Sequence, residues 1–422
     1  MLQYANVWTT GLDRSRARYP MRPAGQSDRG FKASGPWGTE RWFSRALMIC
    51  ASLLALFALS ACSTRPESGF LTPIAFAGPE ATNHSILVAT TRQRDARPGT
   101  YFNGERGGAA DYAAIKVSVP RTHVAGEIEW PEKVPGNPEK DFVVTAASYV
   151  DGDQQFLANL NAQLSSQPVG NRRVLLFIHG YNTMFAEGLF RFSQIVHDSR
   201  TPAAPVLFTW ASRGQVSQYV YDTNSATAAR DDLVRTIQLL FTSNADQINI
   251  LAHSMGNWVT VEALRQIKLS GKPIPVKKLG AVLLAAPDID VDVFKSQMRT
   301  FGKPAKPFYI ILSEDDKALR ASNFIAGGSA RLGAFQDTAE LAELGAVVID
   351  MTAVKANDSS NHGKFAELAE LGPQLASVLQ GGIASEPAGP GKAQAAVGGT
   401  LGAIVTSPLI LLGGQARIIR GR

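Results

Sequence analysis

Ser254 stands where an apolar run, Ile248-Asn249-Ile250-Leu251-Ala252-His253, meets a helical pattern of Trp258, Val259, Val261, Leu264 and Ile267. That junction is the sequence form of a strand, a tight turn and a helix. A hydroxyl raised on such a turn sits above the end of a sheet, at a helix N-terminus that favours developing negative charge. Nucleophilic attack on a carbonyl, through a covalent intermediate, is the chemistry this suits. The turn needs small residues two before and two after the serine, because strand and helix backbones pass close together. Ala252 and Gly256 fill those places, giving Ala-x-Ser-x-Gly. The competing reading is a serine that caps the helix beginning at Met255.

A serine nucleophile needs a base, and for a serine on this kind of junction the base follows in the chain. Of the six histidines (84, 123, 179, 197, 253 and 362) only His362 lies after Ser254, in the loop Asn357-Asp358-Ser359-Ser360-Asn361-His362-Gly363. An orienting acid should follow a strand between the two. Ala286-Pro287-Asp288-Ile289-Asp290 and Ser313-Glu314-Asp315-Asp316-Lys317 both qualify. Asp316 leads because it follows the penultimate strand, with Asp288 and Asp315 as rivals. Loop solvation or helix capping is the alternative role for each of these acids. An oxyanion hole needs two backbone donors. The N–H of Met255 is one, and the loop His179-Gly180-Tyr181-Asn182 should supply the other, at Tyr181 beside a permissive Gly180. His179 and His253 are expected to brace these loops.

The elements that would hold these residues alternate from Arg173 onward. Strands are expected over 174–178, 206–210, 248–251, 279–284, 308–312 and 346–350. Helices are expected over 184–198, 226–241, after Ser254, near 291–298 and over 365–379. Strands apolar on both faces and separated by amphipathic helices argue for a mostly parallel α/β sheet covered on both sides. The candidate residues cluster where the strands' carboxyl ends would lie, the usual ligand edge of such sheets. Upstream, 85–91, 114–119 and 142–146 read as edge strands extending the sheet.

With these motifs together, residues 85–379 resemble the bacterial α/β-hydrolases usually labelled esterase/lipase-superfamily enzymes. The resemblance rests on Phe177-Ile178-His179-Gly180-Tyr181-Asn182, Thr209-Trp210-Ala211-Ser212-Arg213-Gly214, Leu251-Ala252-His253-Ser254-Met255-Gly256-Asn257, Ala285-Ala286-Pro287-Asp288-Ile289-Asp290 and Ser313-Glu314-Asp315-Asp316-Lys317-Ala318-Leu319. Arg331-Leu332-Gly333 and the His362 loop also fit, with Phe365 as the aromatic that often follows the histidine. Proline is commoner where Ala211 stands. The resemblance implies an α/β-hydrolase fold and a serine triad of Ser254, Asp316 and His362. It implies a small-molecule or lipid ester substrate, no metal and no organic cofactor. Envelope acyl transfer and a non-catalytic binding scaffold are the alternatives.

Composition sets the frame. The chain has 422 residues and a formal charge of +6. Residues 1–61 carry eight Lys/Arg against three Asp/Glu, so the remainder is near neutral and nucleic acid is not indicated as a partner. Arg41 and Arg45 precede an apolar run from Ala46 to Leu59, too short to favour a transmembrane helix and suited to a signal-peptide core. The run ends in Leu59-Ser60-Ala61-Cys62, which resembles a bacterial lipobox and predicts lipidation at Cys62, with a periplasm-facing envelope protein as the product. The two cysteines are Cys50 and Cys62, which leaves the exported part without a disulfide or a cysteine metal site. The expected organisation is a leader over 1–61, a tether over 62–84, the α/β-hydrolase domain over 85–380, and a Gly/Ala/Pro linker with an apolar tail over 381–422. The tail, Ala395–Leu412 followed by arginines, is expected to contact a membrane surface.

Overall fold

The computed structural model describes residues 65–367, apart from 77, 79, 272–274, 276, 355, 357 and 358, together with two strands at 409–412 and 416–420. The leader, Cys62 and most of the expected helix over 365–379 lie outside the described residues. Among the described residues eleven strands form one sheet: β1 (Thr82–Arg94), β2 (Phe102–Val119), β3 (Val143–Val150), β4 (Arg173–Ile178), β5 (Ala204–Thr209), β6 (Gln247–His253), β7 (Leu279–Ala285), β8 (Phe308–Leu312), β9 (Ala346–Asp350), β10 (Leu409–Leu412) and β11 (Ala416–Arg420). Their spatial order is β10-β11-β9-β8-β7-β6-β4-β5-β1-β2-β3. The seven strands from β9 to β1 run parallel, and antiparallel pairs close both ends. This is an α/β-hydrolase fold.

The order explains where a ligand can sit. From β4 the chain steps to β5 on one side and then to β6 on the other, so connections leave in opposite directions around β4. A crevice opens at such a switch point, outside the carboxyl ends of the strands. β4 is buried from Val174 to Ile178 because helices cover both its faces. Its alternation divides the core: Leu176 and Ile178 belong to one apolar cluster with Ile250, Val259, Leu264 and Phe294, whereas Leu175 and Phe177 join Phe190, Phe192 and Ile195 on the other side. The first layer contains α1 (Gly152–Ser165), α4 (Arg230–Thr242), α5 (Met255–Leu269) and α6 (Val291–Phe301); the second contains α2 (Phe185–Asp198). The Phe177 and Phe192 rings stack at 5.2 Å across that second interface.

Several elements depart from the sequence expectation. The single helix expected over 226–241 is two helices, α3 (Tyr219–Ala228) and α4, so the chain after β5 turns into helix seven residues early. β2 starts at Phe102; its first half contains Asn103, Gly104, Gly107 and Gly108, which are depleted in strands and hide it. α1 was not anticipated. The end of the apolar tail and the arginine segment after it form β10 and β11, with β11 antiparallel to β9, so the sheet extends beyond residue 380. Among the described residues no helix is long and apolar enough to cross a membrane.

Candidate active site

Ser254 joins β6 to α5 with φ 53° and ψ −125°. A non-glycine residue there carries strain on the order of 1–3 kcal/mol, and surrounding contacts must hold it. They are visible. The Ser254 N–H donates to Ala285 O at 3.0 Å, and its carbonyl accepts from Asn257 Nδ2 at 2.9 Å and from the Asp288 N–H at 3.2 Å. Asn257 Nδ2 also reaches Ala285 O at 2.8 Å, tying the elbow to β7. The Ser254 side chain makes no capping hydrogen bond to α5, so its hydroxyl is not spent on the helix. The small residues have direct reasons. A Cβ on Gly256 would lie 2.4 Å from His179 O, and one on Gly180 would lie 2.6 Å from Ser254 Cβ.

The acid and the histidine meet 46 residues apart in sequence. His362 Nδ1 lies 2.6 Å from Asp316 Oδ2. The other carboxylate oxygen accepts from the Leu319 N–H at 2.9 Å and caps α7 (Lys317–Ile325). Asp316 is thus both a helix cap and the partner of a histidine, one oxygen for each. It is 1 % exposed, so water does not compete for the contact.

Both rival carboxylates are engaged elsewhere. Asp288 accepts from Ser322 Oγ at 2.6 Å and from the Tyr219 hydroxyl at 3.2 Å. Arg331 Nε approaches it at 3.3 Å as an ion pair without hydrogen-bond geometry. Asp315 pairs with Lys364 Nζ at 2.7 Å and accepts from Asn361 Nδ2 at 2.8 Å. Burial pushes the Asp315 carboxyl up, but Lys364 and Ser313 outweigh it and hold the group below its ordinary value. Lys364 also donates toward Ser313 Oγ, Met351 O and Thr352 O, fastening the loop that carries His362.

The two places expected to supply backbone donors are equally braced. Met255 opens α5, and the first N–H groups of a helix have no intrahelical acceptor. The loop with Gly180 and Tyr181 lies against Ser254, as the Gly180 approach shows. The Asn182 N–H donates to Asp222 Oδ2 at 3.0 Å, and Thr183 N–H to Ser212 Oγ at 2.9 Å; Ser212 Oγ in turn donates to Asp222 at 2.6 Å. Asp222 therefore locks the loop after β4 to the loop after β5, and sequence reasoning missed it because α3 was not foreseen. Buried Arg92 was missed too. It donates to Thr209 Oγ1, Ser212 O, Asn103 O and Thr183 O, and its Nη2 lies 3.3 Å from His179 Nε2. An arginine closing the apolar run of β1 was the available signal.

His179 and His253 brace rather than face the crevice. His179 stacks on Trp210 at 4.9 Å, and Trp210 Nε1 donates to its carbonyl. Burial, with the Arg92 charge second, lowers its pKa to about 3. His253 stacks on Phe365 at 4.1 Å, and its Nε2 lies 3.3 Å from His362 O. Burial, then the neighbouring His362, keeps its imidazole well below the ordinary value and so neutral. A cavity of about 260 Å³ lies nearby, lined by residues including Phe70, Arg92, Phe102, Met184 and Arg213; Ser254, Asp316 and His362 do not line it.

Among solved structures, the protein DphMB1 is 12% identical, covering 73% of this chain and 87% of its own, with a TM-score of 0.32. An esterase of Pyrobaculum calidifontis is also 12% identical over 72% and 86% of the two chains, with a TM-score of 0.33. A thermostable esterase from Pseudomonas putida is 13% identical over 73% and 86%, with a TM-score of 0.29. No curated protein matches. A family described as alpha/beta hydrolase of unknown function (DUF900) matches residues 153–378. That span is more than half of the chain and includes Ser254, Asp316 and His362, so this protein belongs to that α/β-hydrolase family.

Proposed function

We propose that the protein hydrolyses carboxylic esters with Ser254 as nucleophile, His362 as general base and acid, and Asp316 as the residue that orients the imidazole. The observation that carries this reading is the 2.6 Å contact between His362 Nδ1 and buried Asp316, with the His362 ring 4.6 Å from that of His253, the residue before a strained serine whose hydroxyl does not cap its helix. In this mechanism Ser254 Oγ attacks the acyl carbon as His362 Nε2 takes its proton. The carbonyl oxygen becomes an anion received by the N–H groups of Met255 and Tyr181, with Gly180 allowing the backbone approach. The alkoxide leaves with the proton from His362, giving an acyl-enzyme. Water, deprotonated by His362, attacks the acyl carbon; the acyl–Oγ bond then breaks, Ser254 Oγ takes that proton back from His362, and the acid is released. Asp316 holds the tautomer in which Nε2 is free to accept. Esters are favoured over amides because an alkoxide departs with less acid assistance than an amine.

The chain's site of action is the bacterial envelope, with Cys62 lipid-anchored and the domain facing the periplasm; Leu59-Ser60-Ala61-Cys62 supports this. Two assays test the two halves. Nitrophenyl esters of graded chain length should be turned over and matched anilides far less; faster anilide cleavage would contradict the ester reading. Labelled fatty acid should be incorporated in cells and lost in Cys62→Ser, and unchanged incorporation would remove the anchor.

A further inference from the structure

A second polar cluster lies at the opposite end of the sheet. His84 stands near the start of β1, His123 follows β2, and His197 and Asp198 end α2. Arg92, eight residues after His84 on the same strand, contacts His179 at the carboxyl end. At about 3.3 Å per residue the two places are roughly 26 Å apart along the strand. The cluster is therefore separate from Ser254 and its partners.

Its donor set is that of a metal site. One ligand atom each from His123, His197 and Asp198 lies within 4.8 Å of the others. The closest pair is His123 Nε2 and Asp198 Oδ1 at 2.8 Å. Each imidazole also has an outer partner: Glu129 Oε2 is 2.8 Å from His123 Nδ1, and His84 Nε2 is 3.1 Å from His197 Nδ1. Gly126 N–H and Gln194 Nε2 donate to Asp198 Oδ2, which fixes the carboxylate and leaves Oδ1 to the histidine. The His123 and Asp198 side chains are only 4 % and 2 % exposed. A carboxylate behind a histidine is the usual outer support of a metal ligand, setting its tautomer and orientation.

We propose that His123, His197 and Asp198 bind a divalent first-row transition ion, Zn²⁺ foremost, at the amino-end face of the sheet. Two imidazoles and one carboxylate suit that class and poorly suit Mg²⁺ or Ca²⁺, which favour oxygen-only ligands. Donors about 2.0–2.2 Å from a tetrahedral ion stand roughly 3.4 Å apart, so side-chain shifts on the order of 1 Å convert this cluster into a coordination shell. The ion replaces the proton held between His123 and Asp198, which passes to solvent. The fourth position falls to water, while His84 stays behind His197 as its outer partner. Bound there, the ion fastens the loop after β2 to the end of α2 and stabilises the fold without touching the chemistry at Ser254.

The test uses untagged full-length protein in detergent, stripped with a chelator and returned to chelator-free buffer. Zn²⁺ titration by calorimetry should show one ion per chain, and the melting temperature should climb with Zn²⁺ concentration. Co²⁺ should give a visible band of tetrahedral intensity. His197→Gln should abolish all three signals. Glu129→Gln, at the edge of the cluster, should fold and weaken binding about 10–100-fold. Ser254→Ala should bind as wild type does. A wild-type melt indifferent to Zn²⁺ would overturn the proposal, leaving His123 as an imidazolium clamped between two carboxylates. Equal uptake by His197→Gln would overturn it as well, by locating the ion elsewhere.

Discussion

Replacing Asp316 by Asn separates chemistry from folding, because its two oxygens do different jobs. Oδ1 caps α7 through the Leu319 N–H, and an asparagine oxygen caps nearly as well as a carboxylate. Oδ2 faces His362 Nδ1 at 2.6 Å, and there Asn offers either an N–H or a weaker neutral acceptor. An N–H in that place favours the wrong imidazole tautomer and leaves the imidazolium of the transition state without a counter-charge. The expected loss of turnover is about 10⁴-fold, or roughly 5.5 kcal/mol of barrier, with little change in KM. The melt should move by less than about 1 kcal/mol equivalent, since the cap survives. Asp288→Asn should behave in the opposite way. It uncouples Arg331, whose side chain is only 10 % exposed, and breaking a buried pair costs about 3–5 kcal/mol. Turnover per folded molecule should fall less than about tenfold, because Asp288 reaches the elbow only through its backbone N–H. Both variants are assayed on one nitrophenyl ester, with thermal melts alongside. Asp316→Asn retaining more than about a tenth of wild-type turnover would rule out Asp316 as the residue that orients His362.

Three further outcomes are expected. Gly180→Ala puts a Cβ 2.6 Å from Ser254 Cβ and must push the elbow or the donor loop aside; turnover should fall about 10²-fold, measured on the same ester. Lys364→Met removes the cation that ties Asp315, Ser313 and the carbonyls of Met351 and Thr352 together, so the His362 loop should lose hydrogen-exchange protection, with about 1–3 kcal/mol less stability by denaturant melt. His179 is neutral in the fold, with its pKa lowered to about 3, while the unfolded imidazole keeps 6.5. Below 6.5 the unfolded state binds the extra proton, so this contribution is complete above pH 6.5 and is lost progressively as pH falls toward 3. Stability curves for wild type and His179→Gln should therefore converge on acidification; a constant gap between pH 7 and pH 4 would contradict this.

How far the sequence could be read follows from the kind of signal each part leaves. The parallel strands from β4 to β9 are continuous apolar runs because helices cover both faces, and they were legible on that ground. The elbow was legible because Ala252 and Gly256 are demanded by backbone approach, which the 2.4 Å clearance at Gly256 now explains. Asp316 and His362 lie 46 residues apart, and chain order and the family resemblance pointed to them; spacing alone could not exclude Asp288, whose bond to Ser322 and pairing with Arg331 are tertiary facts. Arg92, Asp222 and Lys364 left little trace, since each acts by hydrogen bonds to backbone groups from distant loops. β2 and the β10–β11 hairpin were obscured for a different reason. Glycines thin the first half of β2, and the short apolar run of β10 reads equally well as a tail until a partner strand is known.

The most direct measurement is active-site labelling by a fluorophosphonate, followed by peptide mapping with mass spectrometry. The probe phosphonylates a serine that has an activating base, so it reports the nucleophile without assuming any natural substrate. A single phosphonyl adduct is expected on the peptide carrying Ser254, with no adduct in Ser254→Ala and strongly slowed labelling in His362→Gln. Labelling at another serine, or undiminished labelling of folded Ser254→Ala, would contradict Ser254 as the nucleophile.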